Sequence, residues 1–234
     1  MPKVFLSAGH GGTNPGAVAG GLKEKDINLV MMLSAKETLE RHNVDVVCSR
    51  LKDEEDDVYE EVREANASGA DIAASLHVNA FKDLNGDGDG DAKGSESFYY
   101  KGDPNGKRLA ELCEKHVKEL GQNSRGIKTD SLYFVSQTDM TAVLCEAFFL
   151  DNSKDRAMGD TIAEQKAFGV AYAKAILEYF GIPYKEETKE DELAEDEYYF
   201  VQTNAFKSKK NAENEVKKLK EKGFPNAIIK KGRK

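Results

Sequence analysis

The chain has 234 residues, a hydrophobic fraction of 39% and a formal net charge of −8. That length suits one medium domain with a small appendage, and no apolar run approaches the roughly 20 residues needed to cross a bilayer, which argues against membrane insertion. The N-terminus leads straight into an apolar strand, without a basic start and a cleavage site, so cytoplasmic synthesis without a signal peptide is expected.

Val4-Phe5-Leu6 reads as a short buried strand. The stretch SAGHGGTNPGA that follows carries Gly9, Gly11, Gly12 and Gly16 and reads as the loop leaving it. A helix is expected near residues 24–42, then a strand in VDVVCS (44–49), a helix near 56–68 and a strand in DIAASLHV (71–78). Residues 104–120 place Leu109, Leu112, Cys113, His116, Val117 and Leu120 on one helical face, and AVLCEAFFL (142–150) is a strongly apolar strand. A last helix sets Ile162, Gly169, Val170, Ala173, Ile176, Leu177 and Phe180 on one stripe. Alternating β and α segments with near-continuous apolar strands imply an α/β fold, an open, mostly parallel twisted sheet with helices on both faces. Cys48, Cys113 and Cys145, an odd number in apolar segments, read as reduced core thiols.

Gly181 and Pro183 stop the last helix, which sets the end of a first domain at residue 184. KEETKEDELAEDE (185–197) holds eight acids and two lysines and has almost nothing to bury, so it reads as a solvated linker. From Glu197 to the end there are eleven Lys and Arg against four Glu, a surplus of +7 that leaves −15 on the remaining residues. Residues 198–234 read as strand, helix and strand, a βαβ module with Ala212, Val216 and Leu219 on the helix stripe. A basic helix could attract nucleic acid, but no base-reading pattern accompanies it and none is expected.

In open α/β sheets ligands bind beyond the carboxyl ends of the strands. Of the four histidines, His42 reads as a cap ending an exposed helix, and His116 as a packed core residue. His10 and His77 each follow an apolar strand and project at the same rim, which suggests a metal site lacking its third ligand. Glu24 is the natural carboxylate, with Asp26 and Glu37 competing on composition alone. Glu146 interrupts an otherwise apolar strand, where a carboxylate is costly unless paired, coordinated or protonated. Beside a metal it would serve as general base and acid.

SAGHGGTNPGA, GLKEKDINL, SRLKDE, REANASGADIAASLHVNAF, GSESFYY, RGIK and AVLCEAFFLDNSKD, taken in order, resemble the zinc-dependent N-acetylmuramoyl-L-alanine amidases of the open α/β kind. The resemblance runs from about residue 3 to residue 180. It implies that zinc is held by His10, Glu24 and His77, that Glu146 is the catalytic acid, and that the substrate is the amide joining N-acetylmuramic acid to L-alanine in peptidoglycan. Asn79 and Lys128 would line the same cleft. Ser7-Ala8 stand where the family has Asp-Pro, which removes a supporting acid but no ligand. Residues 198–231 resemble one half of a sporulation-related (SPOR-type) repeat, in which YFVQTNAF is the first strand. A unit of that size is too small to bury a core unaided, so a homodimer through it is expected, with binding to peptidoglycan.

The insertion DLNGDGDGD (83–91) departs from the family. Asp83, Asn85, Asp87 and Gly88 open like a calcium loop, but Gly94 stands where a bidentate Glu belongs and Glu96 comes two residues late. An acidic flexible flap is the first reading and weak calcium binding the second. The expected function is a peptidoglycan amidase acting on the wall after release from the cell, as a phage endolysin or a mother-cell autolysin. A zinc peptidase of another wall amide and a non-catalytic wall-binding protein are the alternatives.

Overall fold

A computed structural model describes residues 1–186 and, further on, 216–217. The chain divides into units Met1–Lys185 and Glu186–Lys234. Val216 and Lys217 are helical. Otherwise the expected βαβ module of 198–234, its dimer contact and all but the first two residues of the linker lie outside the described residues.

The first unit is built on six strands: β1 (Lys3–Ala8), β4 (Asp45–Cys48), β5 (Ile72–Asn79), β6 (Ser95–Tyr99), β7 (Ser124–Thr129) and β8 (Thr141–Phe149), in the order β4-β1-β5-β8-β6-β7. The pairs β1·β4, β1·β5 and β5·β8 are parallel. β6 enters antiparallel to β8, and β7 pairs parallel with β6 at the edge. A two-stranded hairpin, β2 (Val18–Ala19) and β3 (Leu22–Lys23), stands apart. The sheet is thus mixed, mostly parallel and covered on both faces.

Helices α1 (Glu24–Arg41), α3 (Pro104–Glu119) and α6 (Ile162–Tyr179) cover one face, where Val4, Leu6, Ala74, Leu76 and Val143 pack with Met31, Leu109 and Ile176. Helices α2 (Val58–Ser68) and α4 (Tyr133–Gln137) cover the other, over Phe5, Ala73, Ala142 and Leu144. A short α5 (Ser153–Arg156) follows β8. Successive strand residues point to opposite faces, so strands covered twice are apolar at nearly every position. Each fully buried side chain such as Leu6 or Leu76 contributes roughly 1.5–3 kcal/mol. Local signals mark the helix starts: Asp57 accepts from Tyr59 N and Glu60 N at the head of α2, and Thr161 with Glu164 forms a capping box on α6.

Several expectations need correction. The segments that form β6 and β7 carried no strand reading, because serine and glycine interrupt their apolar pattern. Helix α6 has no single stripe. Ile162 is 57% exposed, whereas Phe168, Ala171, Tyr172 and Ala175 are buried, because the helix is wedged against both α1 and α3. Leu120 is exposed at the cap of α3. His116 does not pack in the core: its Nδ1 lies 3.0 Å from Glu119 Oε2 and its Nε2 2.7 Å from Glu178 Oε2, on the neighbouring helix. His42 caps α1 but is buried, with Nδ1 2.7 Å from Thr38 O, Nε2 accepting from Lys185 N at 2.9 Å, and its ring stacked on Tyr184. All three cysteines are free thiols; Cys113 and Cys145 are buried and Cys48 half-buried.

Candidate metal and catalytic site

Strands β1, β5 and β8 run parallel, so their carboxyl ends share one rim, and that rim gathers the chemistry. His10 follows β1 with φ 67°, a left-handed conformation uncommon for a residue with a side chain and strained unless its surroundings hold it. Glu24 is the first residue of α1. No side chain caps that helix. Its first amides instead donate to the loop, Glu24 N to Ala17 O at 2.9 Å and Lys25 N to Pro15 O at 3.1 Å, so the loop carrying His10 also fixes Glu24. His77 stands near the end of β5.

The three side chains converge, with ligand atoms all within 4.8 Å of one another. Glu24 Oε1 lies 3.3 Å from His10 Nε2 and 2.9 Å from His77 Nδ1. Tetrahedral bonds of about 2.0–2.1 Å would hold ligand atoms about 3.3 Å apart, so the donor set and its spacing fit a small divalent cation. Two glycines make that convergence possible. A Cβ at Gly9 would sit 1.9 Å from His77 Cε1, and one at Gly16, where φ is +65°, 2.5 Å from Glu24 Oε2. Asp26 and Glu37, the rival carboxylates, are exposed on α1.

Further side chains orient the donors, as outer-shell partners of metal ligands do. Glu24 Oε2 accepts from Ala17 N at 2.8 Å, and Asn28 Nδ2 donates to Gly9 O at 2.9 Å. His77 Nε2 lies 3.1 Å from Ser75 Oγ, which leaves Nδ1 facing the cluster. Buried Arg50 ties the frame together, giving Nε to Ala8 O at 2.9 Å and Nη2 to Lys25 O at 2.7 Å. Burial alone would raise the Glu24 carboxyl, but its hydrogen bonds to His10 and His77 hold it well below the carboxylate range. Burial works against protonation of His77, yet the bond to Glu24 and the charges of Glu146 and Glu24 push it up to about 9. Negative charge at this rim favours a cation.

Glu146 is the direct cross-strand neighbour of His77, and Glu96 neighbours Glu146 on its other side, so the three share one face of the sheet. Glu146 Oε2 is buried and meets no protein donor. Burial raises its pKa to about 7, against the lowering effect of His77 and with added repulsion from Glu24 and Glu96. Asn79 does not reach the metal cluster: its Nδ2 donates to Glu96 Oε1 at 3.0 Å. Lys128 lies on the same face through its pairing with Phe98, and its ammonium contacts Glu96 Oε2. Sequence reading passed over Asn28 and Arg50, and met Glu96 only as an acid two residues late for a calcium loop. Glu96 had a signal of its own, an acid alternating with Phe98 on a strand.

The acidic loop behaves differently. Asp83 accepts from Gly86 N at 2.7 Å and Gly88 N at 2.8 Å, Asp87 from Asp89 N at 2.9 Å, and Asp89 from Ser153 N at 2.6 Å. Among the described residues, His10, Glu24 and His77 are the group of acids, histidines or cysteines whose donor atoms converge on a point.

A family model described as N-acetylmuramoyl-L-alanine amidase matches residues 4–178, and one described as SPOR domain matches residues 195–234. The chain is 31% identical over 233 residues to the N-acetylmuramoyl-L-alanine amidase CwlM of Bacillus licheniformis, covering 98% of this chain and 85% of that protein. It is 35% identical over 183 residues to an endolysin of Bacillus phage SPP1, covering 72% and 64% respectively. Among solved structures, the catalytic domain of the amidase CwlV from Bacillus (Paenibacillus) polymyxa var. colistinus superposes with a TM-score of 0.70 at 27% identity, covering 78% of this chain and all of that one.

Proposed function

The chain belongs to the N-acetylmuramoyl-L-alanine amidase family, and from that premise we propose which of its residues hydrolyse the bond between N-acetylmuramic acid and L-alanine in peptidoglycan. The observation that carries the assignment is Glu146: an acid on an apolar strand, beside His77 in register, with a buried oxygen that no protein group satisfies. His10, Glu24 and His77 would hold the metal, and two imidazoles with a carboxylate are a donor set that hydrolytic zinc sites use. Bound there, zinc supplies a Lewis acid that polarises the scissile carbonyl and acidifies water to near neutral pH. Glu146 takes the proton of the attacking water and returns it to the alanine nitrogen as the C–N bond breaks. One carboxyl serves as base in the attack and as acid at the leaving nitrogen. Ser75 fixes the ring of His77, and Glu24 offsets the cation's charge.

The SPOR-type segment supports wall binding, and its small size supports a homodimer through residues 198–234. Light scattering on the full chain tests this: a monomer at micromolar concentration removes the dimer. The enzyme is proposed to act on the wall after release from the cell. Incubating the purified chain with walls tests the reaction itself. New N-terminal alanine without new reducing ends is expected; reducing ends would mean glycan cleavage, and a different new N-terminus would mean peptidase action.

A further inference from the structure

Beyond Glu146, the rim continues into a second charged group that the chemistry above leaves without a task. Glu96 is 4% exposed and receives three donors: Asn79 Nδ2 at 3.0 Å, Arg125 Nε at 2.6 Å and the Lys128 ammonium. The two cations are open to solvent, their side chains 38% and 37% exposed against 6% for the acid. Each lies over an aromatic ring, Arg125 5.1 Å from the centre of Phe149 and Lys128 5.7 Å from that of Phe98, so their directions are set by packing. Among the described residues, the Arg125 terminal nitrogens make no hydrogen bond, which leaves the planar edge of the guanidinium for a ligand.

One buried carboxylate against two cations leaves a surplus of one positive charge, the complement of a single anion. Its place fits the substrate. Glu96 is one strand from Glu146, about 4.8 Å, and the cations lie one hydrogen bond beyond. Two residues of extended peptide span about 7 Å. A peptide whose first amide bond sits at Glu146 and whose chain runs across β6 towards β7 would bring the carboxyl group of its second residue to Arg125 and Lys128.

We propose that Arg125 and Lys128, held in place by Glu96, recognise a free carboxylate on the stem-peptide residue that follows L-alanine, and so make the enzyme selective for uncapped over amidated stems. This rests on the amidase reading of the neighbouring site. Glu96 is a positioning residue: it neutralises one cation and aims the other.

The test uses the full chain with zinc and two synthetic muramoyl peptides that differ only in whether the second residue carries a carboxylate or a carboxamide. A charge-assisted hydrogen bond lost to the neutral cap corresponds to a 10- to 100-fold preference in kcat/KM for the carboxylate, carried mainly by KM. Lys128→Met and Arg125→Met should each bring that ratio towards one, and Lys128→Arg should keep it. Equal cleavage of both peptides, or a preference that survives the double Lys128→Met/Arg125→Met change, overturns the carboxylate site alone. Cleavage of neither peptide overturns the amidase reading on which it rests.

Discussion

Two glycine-rich loops leave adjacent parallel strands at the same rim, and they do opposite things with similar residues. The loop after β1 draws His10 towards Glu24 on α1 and His77 on β5, so the three donors come from three separate parts of the fold. The loop after β5 carries Asp83, Asp87 and Asp89, yet those carboxylates accept from amides of the loop itself and of Ser153. A short acidic stretch can satisfy its own backbone. A cluster assembled from separate elements is held open by the fold, and its donors remain available to something else. In this chain the donors that converge on a point come from separate elements, whereas the acids of the 83–91 loop are engaged with backbone amides.

Substitutions can break this contrast. The largest effect is expected at the convergent site, where His77→Ala should lower bound zinc from about one per chain to near none and wall hydrolysis to background, because a catalytic zinc uses three protein ligands. Asp83→Ala with Asp87→Ala should leave zinc content and wall hydrolysis at wild-type levels; loss of zinc in that double variant would erase the distinction between the loops. Next in size, Glu146→Gln should retain zinc and fold but slow hydrolysis by about 10² to 10⁴, since glutamine cannot carry the proton. Full activity in that variant would remove Glu146 from the mechanism.

A smaller effect sharpens the electrostatic side. In the metal-free protein the Glu146 carboxyl titrates near 7, above its ordinary value of 4.5, so folding favours its protonated form. That contribution is fully present below pH 4.5 and is lost as pH rises through 7. Glu146→Gln should therefore stabilise the metal-free protein at pH 8, by up to about 3 kcal/mol, with the gain shrinking towards pH 5. Urea unfolding at the two pH values measures it. An equal gain at both would mean the acid is not strained by burial.

What could be read without the structure followed from two periodicities. β1, β5 and β8 are apolar at nearly every position because helices cover both faces, and that density made them plain. β6 and β7 were missed because Ser95, Ser97 and Ser124 stand where apolar residues were sought. His10 and His77 were visible as histidines at strand ends. The third ligand was named as Glu24 because the family resemblance chose it; on residue type alone Asp26 and Glu37 competed, since all three share one helix and spacing from His10 does not separate them. Geometry does: at about 100° per residue, Asp26 lies about 200° around the helix from Glu24 and faces solvent. His116 was misread for the same reason in reverse, because its partner Glu178 comes from a helix that no local pattern could place beside it.

The claim that His10, Glu24 and His77 together hold the catalytic metal is tested most directly by titrating zinc into chelator-stripped protein and following wall hydrolysis. For the wild-type chain and for Glu37→Ala, activity should be absent without metal and rise to its full value at one equivalent. For Glu24→Ala it should stay near background at one equivalent. Full recovery of Glu24→Ala at a single equivalent, or full wild-type activity in the stripped protein, would contradict it.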